Sequence, residues 1–141
     1  MLNAEEILSK NELTLAMLGR GDLRVEMDPR AVVNMHAIQT HFFSSCRKHS
    51  IESICATGFL ESMLTPEGKV TPEEIYDMET SMTTGPDHLM LSGESTYGAQ
   101  ARASIELECS YQKETCAKMK EQTLPHYPVP VNTLKELLYI A

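Results

Sequence analysis

Five of the nine histidine and cysteine residues in this chain fall within twenty positions: His36, His41, Cys46, His49 and Cys55. Imidazoles and thiolates are the usual ligands of zinc, and on a helix they must recur three or four positions apart to face one ion. At about 100° per residue these five scatter around the axis. Only Cys46 and His49 are spaced to chelate together, and a closed site would need Cys109 or Cys116 as well. On a helix those last two lie about 10.5 Å apart along the axis, beyond the ~7 Å that a disulfide spans. The simpler reading is core cysteines and half-exposed histidines, with no metal and no other cofactor. Cys46, His49, Cys109 and Cys116 define the alternative, a metal- or thiol-dependent regulatory protein.

Met63 to Glu74 has part of a calcium loop: Gly68 at the sixth position and Glu74 at the twelfth, but Met63 where the first Asp belongs. A helix–turn–helix with a capping box explains the same residues. Gly93-Glu94-Ser95-Thr96-Tyr97 approaches a nucleophile elbow, except that Tyr97 stands where the second glycine must be. Arg20-Gly21-Asp22 matches an adhesive tripeptide by letters only, and Pro125 to Pro128 satisfies P-x-x-P without a flanking basic cluster. There is no glycine-rich phosphate loop, paired-cysteine zinc pattern or basic stripe with aromatics. On these grounds no catalytic residues are assigned, and the expectation is that the protein is not an enzyme.

The charge is unevenly placed. Residues 50–95 hold the acids Glu52, Glu61, Glu67, Glu73, Glu74, Asp77, Glu79, Asp87 and Glu94 against one base, Lys69, which accounts for the whole net charge of −8. Such a block repels phosphate and favours a basic surface or a cation. Nucleic-acid binding is excluded on the same ground. The acidic start lacks the basic, then apolar, pattern of a secretory signal. The longest apolar run, around Leu15–Leu18, is far short of the ~20 residues that span a bilayer, so neither a membrane nor export is expected. Free thiols then fit a cytoplasmic protein.

The elements that must position these residues read mostly as helices. Asn3 with Glu6 suggests a first helix running to Leu18, where Gly19 and Gly21 stop it. Asp28-Pro29 starts a second over 29–47, with Ala31, Met35, Ile38, Phe42 and Cys46 on one face. Ser50 caps a third whose stripe is Ile51, Cys55, Phe59 and Met63. Thr71-Pro72-Glu73-Glu74 combines cap, proline and reciprocal acid, followed by Ile75, Met78 and Met82. Residues 97–111 alternate as a strand would, yet their Ala, Gln, Arg, Glu and Leu favour one long helix over about 95–122. Three prolines make Thr123 to Val131 extended, and Asn132 caps a last short helix.

The predicted fold is therefore mainly α: a helical core domain over 1–123, then a proline-containing linker and C-terminal helix over 124–141. A small two- or three-stranded sheet from 23–28 and 103–109 is the α+β alternative. The predicted function is a non-enzymatic interaction protein, an adaptor, small chaperone-like factor or complex subunit. Its acidic helical face (Glu73, Glu74, Asp77 and Glu79, edged by Met78 and Met82) would meet a partner protein with a basic or apolar surface. Leu134, Leu137 and Leu138 would seek a neighbour, which self-association into a homo-oligomer would also supply.

Overall fold

A computed structural model describes residues 3–10, 12–30 and 32–121. Its elements follow in the order α1 (Ala4–Leu8), β1 (Leu15–Gly19), α2 (Arg20–Glu26), a 3-10 turn (Val32–Asn34), α3 (Met35–Lys48), β2 (Glu52–Ala56), a second 3-10 turn (Glu61–Leu64), α4 (Pro72–Thr83), β3 (His88–Met90), α5 (Gly93–Thr96) and α6 (Ala101–Glu121). The three strands form one parallel sheet in the order β1-β2-β3. Leu15 pairs with Glu52 and Gly19 with Ala56, while Ile54 to Ala56 pair with His88 to Met90. Parallel neighbours require crossover connections, and α3 and α4 provide them. This is an α/β architecture, and it overturns the mainly α expectation.

The misread segments show why. Ile51, Cys55, Phe59 and Met63 recur every four residues, but the backbone at 52–56 is extended. In that strand Ile51, Ser53 and Cys55 share a period of two, and all three are buried. Between them Glu52 is exposed and Ile54 part-exposed, but the run is so short that its apolar positions also fit a helical stripe. The first expected helix divides likewise: α1 ends at Leu8, Asn3 makes no side-chain cap, and Leu15–Gly19 is a strand. Residues 23–28 and 103–109, offered as a sheet, lie mostly in α2 and wholly in α6.

Where a signal is local, the fold keeps it. Thr71 accepts the Glu74 amide at 3.2 Å and the Glu74 carboxylate accepts the Thr71 amide at 2.9 Å, closing the capping box at the start of α4. The helix expected over 29–47 begins late, at Met35, because Asp28 instead accepts the Arg30 amide in a turn. The long C-terminal helix is present as α6, preceded by the short α5.

The core lies between the sheet and its helices. Phe42, Phe43 and Cys46 of α3 meet Cys55 of β2, Phe59, Leu60 and Met63 of the following loop, and Met78 and Met82 of α4. Phe42 and Phe43 pack edge to face with centroids 5.4 Å apart. The described residues contain no helix long and apolar enough to cross a membrane. The proposed linker and C-terminal helix, with Leu134, Leu137 and Leu138, lie outside the described residues.

Candidate functional site

Each strand ends in a short turn that enters a helix or loop. These carboxyl ends read Gly19-Arg20-Gly21-Asp22, Ala56-Thr57-Gly58 and Leu91-Ser92-Gly93-Glu94. In parallel α/β sheets the loops beyond the carboxyl ends of the strands are where ligands bind. Here they are tied together. The Thr57 hydroxyl accepts the Gly21 amide at 2.9 Å, and the Thr57 amide donates to the Met90 carbonyl at 3.0 Å. Thr57 thus ties the β2 turn to the start of α2 and to the last residue of β3.

Thr57 achieves this with φ at 68°, in the left-handed region that a β-branched residue rarely enters. Such a conformation costs about 1–3 kcal/mol, and strain of this kind clusters at functional sites. Gly58 continues the left-handed path at φ 73°, without the penalty a side chain would add.

Arg20 forms the floor of the site. It is fully buried at the first position of α2. Its guanidinium stacks over the Phe59 ring at 4.1 Å, Nη1 donates to Ser81 Oγ at 2.7 Å, and Nη2 pairs with the Asp77 carboxylate. A buried charge persists only when paired and hydrogen-bonded, so α4 supplies what the end of β1 needs. Arg24, one turn further along α2, places its Nη2 3.6 Å from the same Asp77 oxygen. Beneath them burial pushes the Cys55 thiol up to about 11 despite the opposing Arg20 charge, which keeps it neutral.

Carboxylates complete the edge. Asp22 stands exposed in the first turn of α2. Glu94 is buried and accepts the Ser92 amide at 2.8 Å. Glu108 of α6 is pushed up by burial and by the charge of Glu94. The turn at Gly93 has the strand-to-helix shape of an elbow, but Ser95 Oγ donates back to the Ser92 carbonyl at 3.1 Å, and a Cβ on Gly93 would meet the Tyr97 hydroxyl at 2.5 Å. No ligand set exists in the calcium-like loop either. Gln100 donates to the Thr65 and Gly68 carbonyls, and Glu74 is held by Thr71 and Ser62.

The residues expected to form an acidic docking face are largely engaged within the fold. Glu73 is exposed and Glu79 half-buried. Glu74 closes its capping box, Asp77 pairs with Arg20 and Arg24, and Met78 and Met82 are buried in the core. The four residues of the metal alternative are not gathered. Cys46 is buried, with its thiol pushed up to about 11 by desolvation and Asp87. His49 Nε2 contacts Glu5 at 3.1 Å, and Cys109 and Cys116 are exposed on α6. Among the described residues no three His, Cys, Asp or Glu side chains cluster as metal ligands would.

The sequence family described as pyruvate kinase, barrel domain, matches residues 1–105. The chain belongs to this family. It is 32% identical over 121 residues to pyruvate kinase 1 of Trypanosoma brucei brucei, covering 86% of this chain and 22% of that protein. It is 34% identical over 124 residues to the pyruvate kinase of Hypocrea jecorina, covering 88% and 21%. Over 82 residues it is 40% identical to the pyruvate kinase of Trypanoplasma borreli, covering 58% and 16%. The chain thus spans about a fifth of the length of the first two of these relatives.

The family is an α/β barrel of metabolic enzymes, which overturns the expectation of a non-enzymatic adaptor or complex subunit. Net charge describes the far field, whereas the strand ends hold two arginines, Arg20 and Arg24, on one carboxylate, Asp77. In the sequence Arg20-Gly21-Asp22 reads only as a tripeptide match and a helix stop, and Thr57 and Gly58 belong to no motif. The available signal was two apolar runs, Leu15–Leu18 and Ile54–Ala56, each ending in a glycine-containing turn.

Proposed function

We propose that this chain contributes three adjacent βα units to a barrel that transfers a phosphoryl group between a nucleotide and pyruvate. A closed barrel of this kind takes eight strands and acts at the carboxyl ends of its strands. The described residues supply three strands, so the proposed activity belongs to the assembled barrel. The observation that carries the reading is Thr57. A strained, left-handed threonine ties the end of β2 to the ends of β1 and β3 at the edge where such barrels do their chemistry.

Phosphoryl transfer is catalysed mainly by positioning and by stabilising charge on the transferred group. Gly21 and Thr57 set the shape of the edge, the Arg20–Asp77 pair anchors it, and Asp22 presents a carboxylate to solvent. Magnesium, which such transfers use to neutralise phosphate oxygens, takes one or two protein carboxylates and keeps several waters, and the exposed Asp22 is suited to be one of them. A cytoplasmic setting goes with this reading, since all four cysteines stand as free thiols.

The test is phosphorus NMR of the purified protein with a nucleoside diphosphate, the enol phosphate of pyruvate and magnesium, on wild type and Thr57→Val. Formation of nucleoside triphosphate and pyruvate that falls in the variant supports the proposal. Wild-type protein that folds but forms no triphosphate from the enol phosphate, alone or within its assembled barrel, refutes it.

A further inference from the structure

The geometry points to Arg24 as an oxyanion-binding residue at the carboxyl edge of the sheet. This rests on reading that edge as the ligand-binding face. Asp77 receives two arginines, but unequally. The buried Arg20 takes its Oδ2 at hydrogen-bonding distance and is also satisfied by Ser81, whereas Arg24 stays 3.6 Å away, too far for a hydrogen bond. One carboxylate between two guanidinium groups leaves one positive charge in excess, and the excess sits on the accessible partner. The Arg24 side chain is 37% exposed, the Arg20 side chain 0%.

Its position is equally specific. A Cβ on Gly58 would lie 3.3 Å from Arg24 Nη1, so the guanidinium rests on the one residue of the β2 turn that has no side chain. Gly58 directly follows Thr57, whose hydroxyl is already bound to Gly21. Arg24 therefore brings a planar, multiply donating cation to the turn that organises the site. Guanidinium groups match carboxylate and phosphate oxygens in pairs of parallel hydrogen bonds. The ligand group is an oxyanion, and either the carboxylate of pyruvate or a phosphoryl group has that chemistry.

Calorimetric titration of the full chain with inorganic phosphate, and separately with pyruvate, tests this on wild type, Arg24→Gln and Arg24→Lys. The expected result is a loss of about tenfold in affinity for at least one anion in Arg24→Gln, partly recovered in Arg24→Lys. A loss confined to phosphate assigns Arg24 to the phosphoryl group, and one confined to pyruvate assigns it to the carboxylate. Melting temperatures within about 2 °C of wild type are expected, because Arg24 is part-exposed and Asp77 keeps Arg20. Unchanged affinity for both anions in Arg24→Gln, or no saturable binding of either by wild type, overturns the inference. Arg24-dependent binding without phosphoryl transfer would refute the proposed function alone; transfer with Arg24→Gln binding both anions normally would refute the role of Arg24 alone.

Discussion

The Thr57 hydroxyl and the Gly21 amide, 36 positions apart in the chain, meet at 2.9 Å across the carboxyl ends of β1 and β2. The contact requires Thr57 to hold φ at 68°. Strain at one residue is thus balanced by a bond to another, and the pair gives the edge of the sheet its shape.

Replacing Thr57 should separate these two effects. Thr57→Val keeps the bulk and the backbone strain but leaves the Gly21 amide without its acceptor, a loss of about 1 kcal/mol. Thr57→Ser keeps the hydroxyl. Urea denaturation should rank wild type and serine above valine, and phosphoryl transfer should follow the same order. A valine variant as active as wild type would remove the hydroxyl from the site.

The Arg20–Asp77 pair is asymmetric, and its two truncations should cost different amounts. Asp77→Ala leaves a fully buried guanidinium without its main counter-charge, and should cost about 3 kcal/mol or more. Arg20→Met fills most of the same volume and leaves a part-exposed carboxylate that Arg24 still faces, so about 1–2 kcal/mol is expected. Equal losses in chemical denaturation would contradict this account of the burial.

Glu5 fastens α1 to the end of α3. Lys48 first, then Ser45 and His49, hold its carboxyl at about 2 against an ordinary value of 4.5, with burial opposing. A carboxylate depressed in the folded state stabilises it above the ordinary value, and the benefit fades as pH falls from 4.5 towards about 2. The pair is well exposed, so the amplitude should be below about 1 kcal/mol. Protection factors of the α1 amides, which allow for the intrinsic pH dependence of exchange, should fall through that acid window in wild type and stay flat in Glu5→Gln; identical profiles would exclude the clasp.

Thiol reactivity should divide the cysteines into two pairs. Cys109 and Cys116 are exposed. Cys46 and Cys55 are fully buried, and burial pushes both thiols up to about 11. Reagents that attack thiolates should label two cysteines per native chain quickly and the other two only on unfolding. Fast labelling of all four in native protein would show that the core around β2 opens readily.

Sequence alone determined the local features. The Thr71 cap and its Glu74 reply were legible because a capping box is written within four consecutive residues. Much of α3 and α6 was legible from apolar faces at helical spacing and from strong helix formers. The strands were not, because β2 is only five residues long and its apolar run also fits a helix. The acidic block looked like a docking surface until packing assigned Glu74 to a cap and Asp77 to an ion pair. Only tertiary structure decided the candidate site. Arg20 finds its partners 57 and 61 positions away, and those contacts exist only once α4 has folded back beside the start of α2. Charge pairs and hydrogen bonds act over a few ångströms in space, whatever their separation along the chain.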